Sequence, residues 1–159
     1  MTVTTDSPEE TMRLAARVAR ELAAGDVVAL TGELGSGKTV FTKGLASGLG
    51  VASAREVTSP TYVIMVAYEG DEGVRGLPLY HFDAYRLRSA AEFLALDGGE
   101  TVGERGVSVI EWADRVAGAL PERRVDVHLE VTGEMTRTIT IAPRGGRPEL
   151  ASRLEEAAG

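Results

Sequence analysis

Residues 32–39 read Gly-Glu-Leu-Gly-Ser-Gly-Lys-Thr, which matches the phosphate-loop pattern G-x-x-x-x-G-K-[ST]. In this pattern the glycines let backbone N–H groups surround a phosphate, and the N-terminus of the following helix adds positive potential. Lys38 can reach the β- and γ-phosphates of a nucleotide, and the Thr39 hydroxyl can bind Mg²⁺. An apolar run before the loop and a helical pattern after it argue against a chance match in a Gly-rich chain. The loop predicts nucleotide binding, although kinases, GTPases and ATPases all use it.

Two acidic residues each stand where an apolar segment ends. Asp83 follows the run 77–82, and Glu111 follows the run 107–110. In a parallel sheet, the carboxyl ends of the strands face the same crevice as the phosphate loop. We therefore predict a metal-site role for Asp83, with a helix cap or a turn as the alternative. Glu111 is predicted to orient the metal or to activate water, with a surface ion pair as the alternative.

The predicted elements alternate between strand and helix. Residues 27–31 are apolar and rich in β-branched residues, as in a strand buried on both faces. After the loop, a helix is predicted over 38–47, with glycines at 48 and 50 to end it. This alternation implies an α/β fold with three layers around a mostly parallel sheet, like that of P-loop NTPases. Further strands are predicted at 61–68, 77–83 and 107–112, and further helices over 8–22, 89–96 and 113–120. Residues 125–131 and 136–142 are predicted to form a C-terminal antiparallel β-hairpin. Residues 149–159 are predicted to form either a weak amphipathic helix or a frayed tail.

Length and composition limit the class of protein. The chain has 159 residues, so we expect one domain over 1–159. Its net charge of −7 argues against a broad, direct grip on nucleic acid. The absence of cysteine excludes disulfides and cysteine-bound zinc, and only two histidines argue against a multi-histidine metal site. No apolar run approaches the ~20 residues that span a bilayer, and the polar N-terminus is no signal peptide, so we expect a cytoplasmic protein with no membrane partner.

The chain also contains no asparagine and no glutamine. A guanine-reading loop of the Asn-Lys-x-Asp type is therefore excluded. So is a glutamine that orients an attacking water, as some GTPases use.

Four motifs together resemble a known family. They are the phosphate loop at 32–39, Ser-Pro-Thr-Tyr at 59–62, His-Phe-Asp-Ala-Tyr-Arg-Leu at 81–87 and Ile-Glu-Trp at 110–112. Their order resembles the bacterial TsaE (YjeE) family, the ATPase component of tRNA threonylcarbamoyladenosine biosynthesis. The likeness covers nearly the whole chain. It departs at Glu33, where Asp is commoner, and at Ala113, where Pro is frequent, and neither position carries a required chemical group.

The resemblance implies a small ATPase that works with the TsaB–TsaD heterodimer, with ATP and Mg²⁺ as cofactors. In that family TsaD transfers the threonylcarbamoyl group to the adenosine just 3′ of the anticodon. The chain would thus meet tRNA only indirectly, through the complex. The implied catalytic residues are Lys38, Asp83 and Glu111, and the implied metal-site residues are Thr39, Asp83 and Glu111. The ATP-binding residues would be Leu34, Gly35, Ser36, Gly37, Lys38, Thr39, Asp83 and, carried over from the family's closing hairpin, Gly133.

Ser59, Pro60 and Thr61 lie between the second predicted helix and a strand. Pro60 stiffens this segment and Thr61 offers a hydroxyl. An ordinary strand entry is one interpretation. The resemblance favours the other, a switch-like loop that senses the γ-phosphate.

Two other functions remain open. A small-molecule phosphotransferase would usually need a basic lid, whereas the loop 69–76 holds three acidic residues and one arginine. Acceleration of ATP turnover by an acceptor would identify this class. A nucleotide-dependent binding module would bind ATP tightly with almost no turnover, even with its partners present.

Overall fold

The computed structural model describes residues 1–60, 63–71, 75–98 and 105–159. Seven strands and four α-helices form in this part of the chain. The strands are β1 (Thr2–Thr5), β2 (Val27–Thr31), β3 (Met65–Tyr68), β4 (Leu79–Asp83), β5 (Val107–Glu111), β6 (Val125–Val131) and β7 (Arg137–Pro143). The α-helices are α1 (Pro8–Glu21), α2 (Lys38–Leu49), α3 (Ala90–Phe93) and α4 (Pro148–Ala158), with 3-10 turns at Ala54–Glu56 and Ala113–Ala119 and a π turn at Leu94–Gly98.

One sheet contains all seven strands, in the order β1-β7-β6-β2-β5-β4-β3. Its centre is parallel, since β2 pairs with β5 and β6, and β4 pairs with β5. Both edges are antiparallel, through β3 on β4 at one side and β6, β7 and β1 at the other. The predicted fold class, with its parallel core and closing hairpin, is confirmed.

Helices cover both faces of this sheet. Val28 and Leu30 of β2 belong to a core that also holds Leu14 of α1 and Phe41 of α2. Val27 and Ala29 belong to a second core, with residues of α3 and of the 3-10 turn Ala113–Ala119. Because successive strand residues point to opposite faces, β2 is buried from both sides, as predicted. The three layers bring the carboxyl ends of β2, β4 and β5 to one edge.

The start of α1 is fixed by a capping box of Ser7 and Glu10. The Ser7 hydroxyl accepts a hydrogen bond from the Glu10 backbone N–H at 3.2 Å. The Glu10 carboxylate in turn accepts from the Asp6 N–H at 2.7 Å, which fixes the entry of the chain into the helix.

The second helix runs two residues beyond the predicted 38–47 and ends at the second of the two predicted stop glycines. Helix α2 continues through Gly48 to Leu49, and Gly50, at φ +80°, ends it. A Cβ at Gly48 would lie 2.3 Å from the Ala16 carbonyl oxygen of α1. Gly48 therefore allows α1 and α2 to approach closely and does not stop the helix.

Strand boundaries shift by a few residues. Strand β4 begins at Leu79, two residues after the predicted start, because the preceding Pro78 has no N–H to donate. Strand β5 ends at Glu111, since Trp112 takes a left-handed φ of +58°. Strand β1 was not predicted, because its apolar pattern is short and it forms only by pairing with β7. The first residues of the strand predicted at 61–68 lie outside the described residues.

At the C-terminus, the helix alternative is the one observed, with Leu150 and Leu154 of α4 buried against the first core. None of the helices in the described ranges is long and apolar enough to cross a membrane.

Candidate functional site

The loop between β2 and α2 presents unpaired backbone donors at a helix N-terminus. Gly37 takes a left-handed φ of +102° and directly precedes α2, and no side chain caps the helix within the described contacts. The first N–H groups of a helix have no partner inside it, so they are free to bind an anion. Gly32 has a φ of +143°, and a Cβ there would lie 2.5 Å from the Leu129 carbonyl oxygen. The loop therefore needs glycine at these two positions.

The Lys38 ammonium lies under this loop. It donates to the carbonyl oxygens of Gly32 at 2.7 Å and Glu33 at 2.9 Å. It also lies 3.9 Å from the centre of the Trp112 ring, a cation–π contact. Burial lowers the pKa of Lys38 from its usual value, and the nearby carboxylates, Glu111 first, oppose that change. The residue is 5% exposed, and its ammonium is held between the loop carbonyls and the Trp112 ring, so its charge is partly shielded from water.

Glu111 is buried among hydroxyl groups at the end of β5. The hydroxyl oxygens of Thr39 and Ser59 lie 3.2 and 3.3 Å from its carboxylate and 2.5 Å from each other, so one hydroxyl can donate to the other while the second donates to Glu111. The Thr42 hydroxyl contacts it at 3.4 Å. Among the described residues, no lysine or arginine forms a salt bridge with Glu111, and the His81 ring lies against it, with Nε2 2.8 Å from the carboxylate. The result is a buried carboxylate that forms no direct salt bridge with a lysine or arginine of the described chain, although the Lys38 charge acts on it from a greater distance.

Asp83 lies beside Glu111, because the two residues are paired in the parallel register of β4 and β5. Its Oδ1 accepts a hydrogen bond from the Tyr85 N–H at 2.9 Å. Burial raises the pKa of Asp83 above its usual value, the Glu111 charge adds to this effect, and the Tyr85 hydrogen bond opposes it. The two carboxylates therefore share one electrostatic environment.

These groups line one cavity of about 400 Å³, which we call the phosphate crevice. The predicted site residues that line it are Leu34, Gly35, Gly37, Lys38, Thr39, Ser59, Asp83 and Glu111. Two others do not. Ser36 belongs to the phosphate loop but is fully buried, and Gly133 lies in the turn between β6 and β7. Pro60 follows Ser59 without lining the crevice, and Thr61 lies outside the described residues.

Sequence reasoning missed three contacts of this site. His81 was not among the predicted site residues, yet it touches Glu111. Its position two residues before Asp83 on the same strand face was the available signal. The contact of Trp112 with Lys38 and that of Thr42 with Glu111 had no comparable signal in the sequence.

The family model for "Threonylcarbamoyl adenosine biosynthesis protein TsaE" matches residues 5–139. A tRNA threonylcarbamoyladenosine biosynthesis protein TsaE from Treponema pallidum is 45% identical over 136 residues, which cover 86% of this chain and 96% of that protein. The protein of the same name from Bacillus subtilis is 42% identical over 146 residues, 92% of this chain and 87% of its own. The crystal structure of Bacillus subtilis YdiB superposes with a TM-score of 0.79 at 36% identity, covering 100% of this chain and 96% of that one.

The match to the family model and the identity to these relatives extend over most of the chain. They confirm the resemblance that the four motifs indicated. The chain belongs to the TsaE family.

Proposed function

We propose that this protein is a Mg²⁺-dependent ATPase that supports a TsaB–TsaD heterodimer in forming N6-threonylcarbamoyladenosine next to the anticodon of tRNAs. Its compartment would be the cytoplasm, and tRNA would be reached through the complex. The observation that carries this proposal is the convergence of the phosphate loop, Lys38 and the paired carboxylates Asp83 and Glu111 on one crevice. Membership of the TsaE family supplies the pathway.

The donor set of the crevice fits Mg²⁺, which prefers oxygen ligands and is usually held by one or two carboxylates together with substrate phosphates. The Thr39 hydroxyl and the carboxylates of Asp83 and Glu111 would hold it, and Glu111 forms no direct salt bridge with a lysine or arginine among the described residues. Within the described chain there is no group of three or more His, Cys, Asp or Glu that could form a protein-only metal cage. When bound, the ion would neutralise charge on the phosphate oxygens.

The triphosphate of ATP would bind along the loop, with its β- and γ-phosphates at the start of α2. Backbone N–H groups after Gly37 and the Lys38 ammonium would stabilise the negative charge that builds up as the reaction proceeds. Water would attack the γ-phosphorus in line with the bond to the β–γ bridging oxygen. That bond breaks as the new P–O bond forms, which gives ADP and phosphate. Glu111, held by His81 and the surrounding hydroxyls, would orient the water or the metal.

Ser59 would link the bound nucleotide to the switch-like loop. Its hydroxyl lies 2.5 Å from that of Thr39, so a ligand that binds Thr39 also affects the segment at Ser59 and Pro60. We propose that ATP orders this switch-like loop, which includes Thr61, and that hydrolysis releases it. If the ordered loop favours docking to TsaB–TsaD, then by linkage the partner must tighten ATP binding by the same factor.

The test is the affinity of the protein for TsaB–TsaD, measured with ATP, with ADP and without nucleotide, together with ATP turnover in each mixture. We expect the tightest binding with ATP, weak turnover of the isolated protein and faster turnover with the partners. Equal affinity in all three states would contradict the switch, and no binding in any state would contradict the partnership. Tight ATP binding without turnover, even in the complex, would instead identify a nucleotide-dependent binding module.

A further inference from the structure

Arg137, at the start of β7, joins two parts of the chain that are far apart in sequence. Its Nε donates to the Ser36 carbonyl oxygen at 3.0 Å, and its Nη2 donates to that of Gly35 at 3.2 Å. Its Nη1 donates to carbonyl oxygens of the β6–β7 turn, at 3.2 Å to Gly133 and 2.9 Å to Thr136. One guanidinium therefore holds the phosphate loop against the closing hairpin.

The contact lies outside the phosphate crevice. Arg137 is absent from the lining of that crevice and instead borders a recess of about 50 Å³ that also includes Gly37, Thr11 and Met135. Gly37 borders both cavities, so the loop separates Arg137 from the crevice.

Peptide geometry transmits this contact across the loop. A trans peptide is planar, with its C=O and N–H pointing in opposite directions, and the described chain contains no cis bond. When the Ser36 carbonyl points at Arg137, the N–H of Gly37 must point away from it. The Gly35 carbonyl likewise directs the Ser36 N–H away, and that group closes the loop by donating to the Glu33 carbonyl at 3.0 Å. Arg137 thus sets the direction of the amides in this part of the loop.

The charge of Arg137 is also not neutralised by a neighbour. Among the described residues it forms no salt bridge, and its hydrogen-bond partners there are all neutral carbonyl oxygens. A carbonyl oxygen that accepts a hydrogen bond from a guanidinium becomes more polarised. The N–H of the same peptide group is then a stronger hydrogen-bond donor. An arginine placed there supports anion binding by geometry and by charge.

We infer that Arg137 is a positioning residue of the phosphate loop: it acts through the carbonyls of Gly35 and Ser36 and does not touch the phosphates. This inference rests on the proposed function, since it concerns how the loop binds nucleotide. It also gives the closing hairpin a role, because the turn at Gly133 and Thr136 is the other anchor of the same guanidinium. No motif in the sequence indicated this link across about a hundred residues.

The experiment compares Arg137→Ala and Arg137→Lys with the wild type. Lysine keeps the charge but cannot hold the loop and the turn at once, because it lacks the planar fork of five donors. ATP and ADP affinity are measured by isothermal titration, and the backbone amides of residues 35–37 are followed by ¹⁵N NMR without nucleotide. Arg144→Ala is the matched control. It removes an arginine that lies just after β7, is exposed and pairs with Asp126, away from the loop.

We expect Arg137→Ala to weaken ATP and ADP binding by roughly 10- to 100-fold, the usual effect of losing charge-assisted hydrogen bonds. Arg137→Lys should recover only a small part of that loss. In both variants the amide signals of Ser36 and Gly37 should move, whereas Arg144→Ala should leave affinity and signals unchanged. Strand β7 stays paired with β6 and β1, so thermal unfolding should show that the variants remain folded at the assay temperature.

Wild-type affinity in either Arg137 variant, or unmoved loop amides, would overturn the inference while leaving the proposed function intact. Full rescue by lysine would also overturn it, because charge alone would then suffice. A wild-type protein that binds no nucleotide would reject the proposed function itself, and the inference with it. A lower unfolding temperature with unchanged affinity and amide signals would show that Arg137 serves only the hairpin.

Discussion

Two crevices of nearly equal volume border helix α2. The phosphate crevice measures about 400 Å³, and a second one between α1 and α2, the helix crevice, about 380 Å³. Each contains one of the chain's lysines, Lys38 in the first and Lys43 in the second. In the phosphate crevice Lys38 and Glu111 are buried, whereas the acidic and basic groups at the helix crevice lie at least partly in water. The volumes of the two crevices therefore do not show which one is a ligand site. Buried charge does, because a desolvated charge is costly unless partners or a ligand stabilise it.

The glycines of the two regions also differ in what they do for the structure. Gly37 in the loop takes a left-handed φ, which a side chain would strain. Gly44 and Gly48 in α2 are helical, and a Cβ at either would meet backbone oxygen of α1 at 2.4 or 2.3 Å. One glycine shapes the backbone for a ligand, while the other two let helices pack. We therefore expect changes at the charged side chains of the phosphate crevice to act mainly on nucleotide binding, and changes at Gly44 and Gly48 to act on stability without binding.

The largest expected effect is that of Lys38→Ala on nucleotide binding. Removal of the ammonium from the buried crevice should weaken affinity for Mg²⁺–ATP by about 100-fold or more, since charge-assisted bonds to phosphate are among the strongest. Isothermal titration measures this loss. Lys43→Ala, in the helix crevice, is the matched control and should bind normally. Near-normal affinity and turnover of the Lys38 variant would reject the site.

Glu111→Gln should separate binding from chemistry within the phosphate crevice. Glutamine keeps the size of the side chain but loses its charge, so turnover should fall by roughly 10²–10³-fold while ATP affinity changes less. Single-turnover hydrolysis and titration on the same sample measure the two effects. Glu130→Gln, on an exposed position of β6, is the control. Unchanged hydrolysis would remove Glu111 from the chemistry.

Gly48→Ala should lower the stability of the protein and leave nucleotide binding unchanged, the reverse of the effect expected for Lys38→Ala. The added methyl would force α1 and α2 apart and lower the free energy of unfolding by about 1–3 kcal/mol, a cost that exceeds the gain in helix propensity. Urea unfolding measures this change, with Ser47→Ala at the neighbouring exposed position as control. Nucleotide affinity should stay at the wild-type value. Unaltered stability would mean that the close approach of the helices contributes little.

The smallest expected effect is that of Asp83→Asn on the stability of the nucleotide-free protein. Burial raises the pKa of Asp83 in the folded state above its unfolded value. The stability that this group contributes is therefore fully present below its unfolded pKa and is lost as pH rises through the folded value. Asparagine does not titrate and can still accept the Tyr85 N–H. The variant should therefore be more stable than wild type at neutral pH, with the advantage vanishing below about pH 4.

Urea unfolding of both proteins across this pH range tests the sign. Parallel pH profiles would show that Asp83 does not destabilise the folded state. Mg²⁺-dependent ATP affinity of the same variant should fall. Stability and binding would then change in opposite directions at one residue, as expected where a carboxylate is kept for a ligand.

Short-range sequence patterns were enough to predict much of the fold. Strand β2 and the start of α2 lie where the sequence predicted them, because a buried apolar run and a Gly-Lys-Thr sequence each determine their own neighbourhood. The paired placement of Asp83 and Glu111 was also accessible, since both end strands of a parallel sheet. The roles of the site residues remain predictions. Gly48 was misassigned because glycine looks the same in sequence whether it ends a helix or packs inside one.

By itself, the sequence determined the phosphate loop, the alternation of strands and helices, and the family. These depend on residue types at short, fixed spacing, where backbone conformation and periodicity follow from neighbours in the chain. Only the tertiary structure decided that His81 and Thr42 hold Glu111, that Trp112 covers Lys38, and that β1 exists. It alone placed Arg137 behind the loop. Such contacts join residues far apart in the chain, so they depend on how strands and helices pack, which no local pattern encodes.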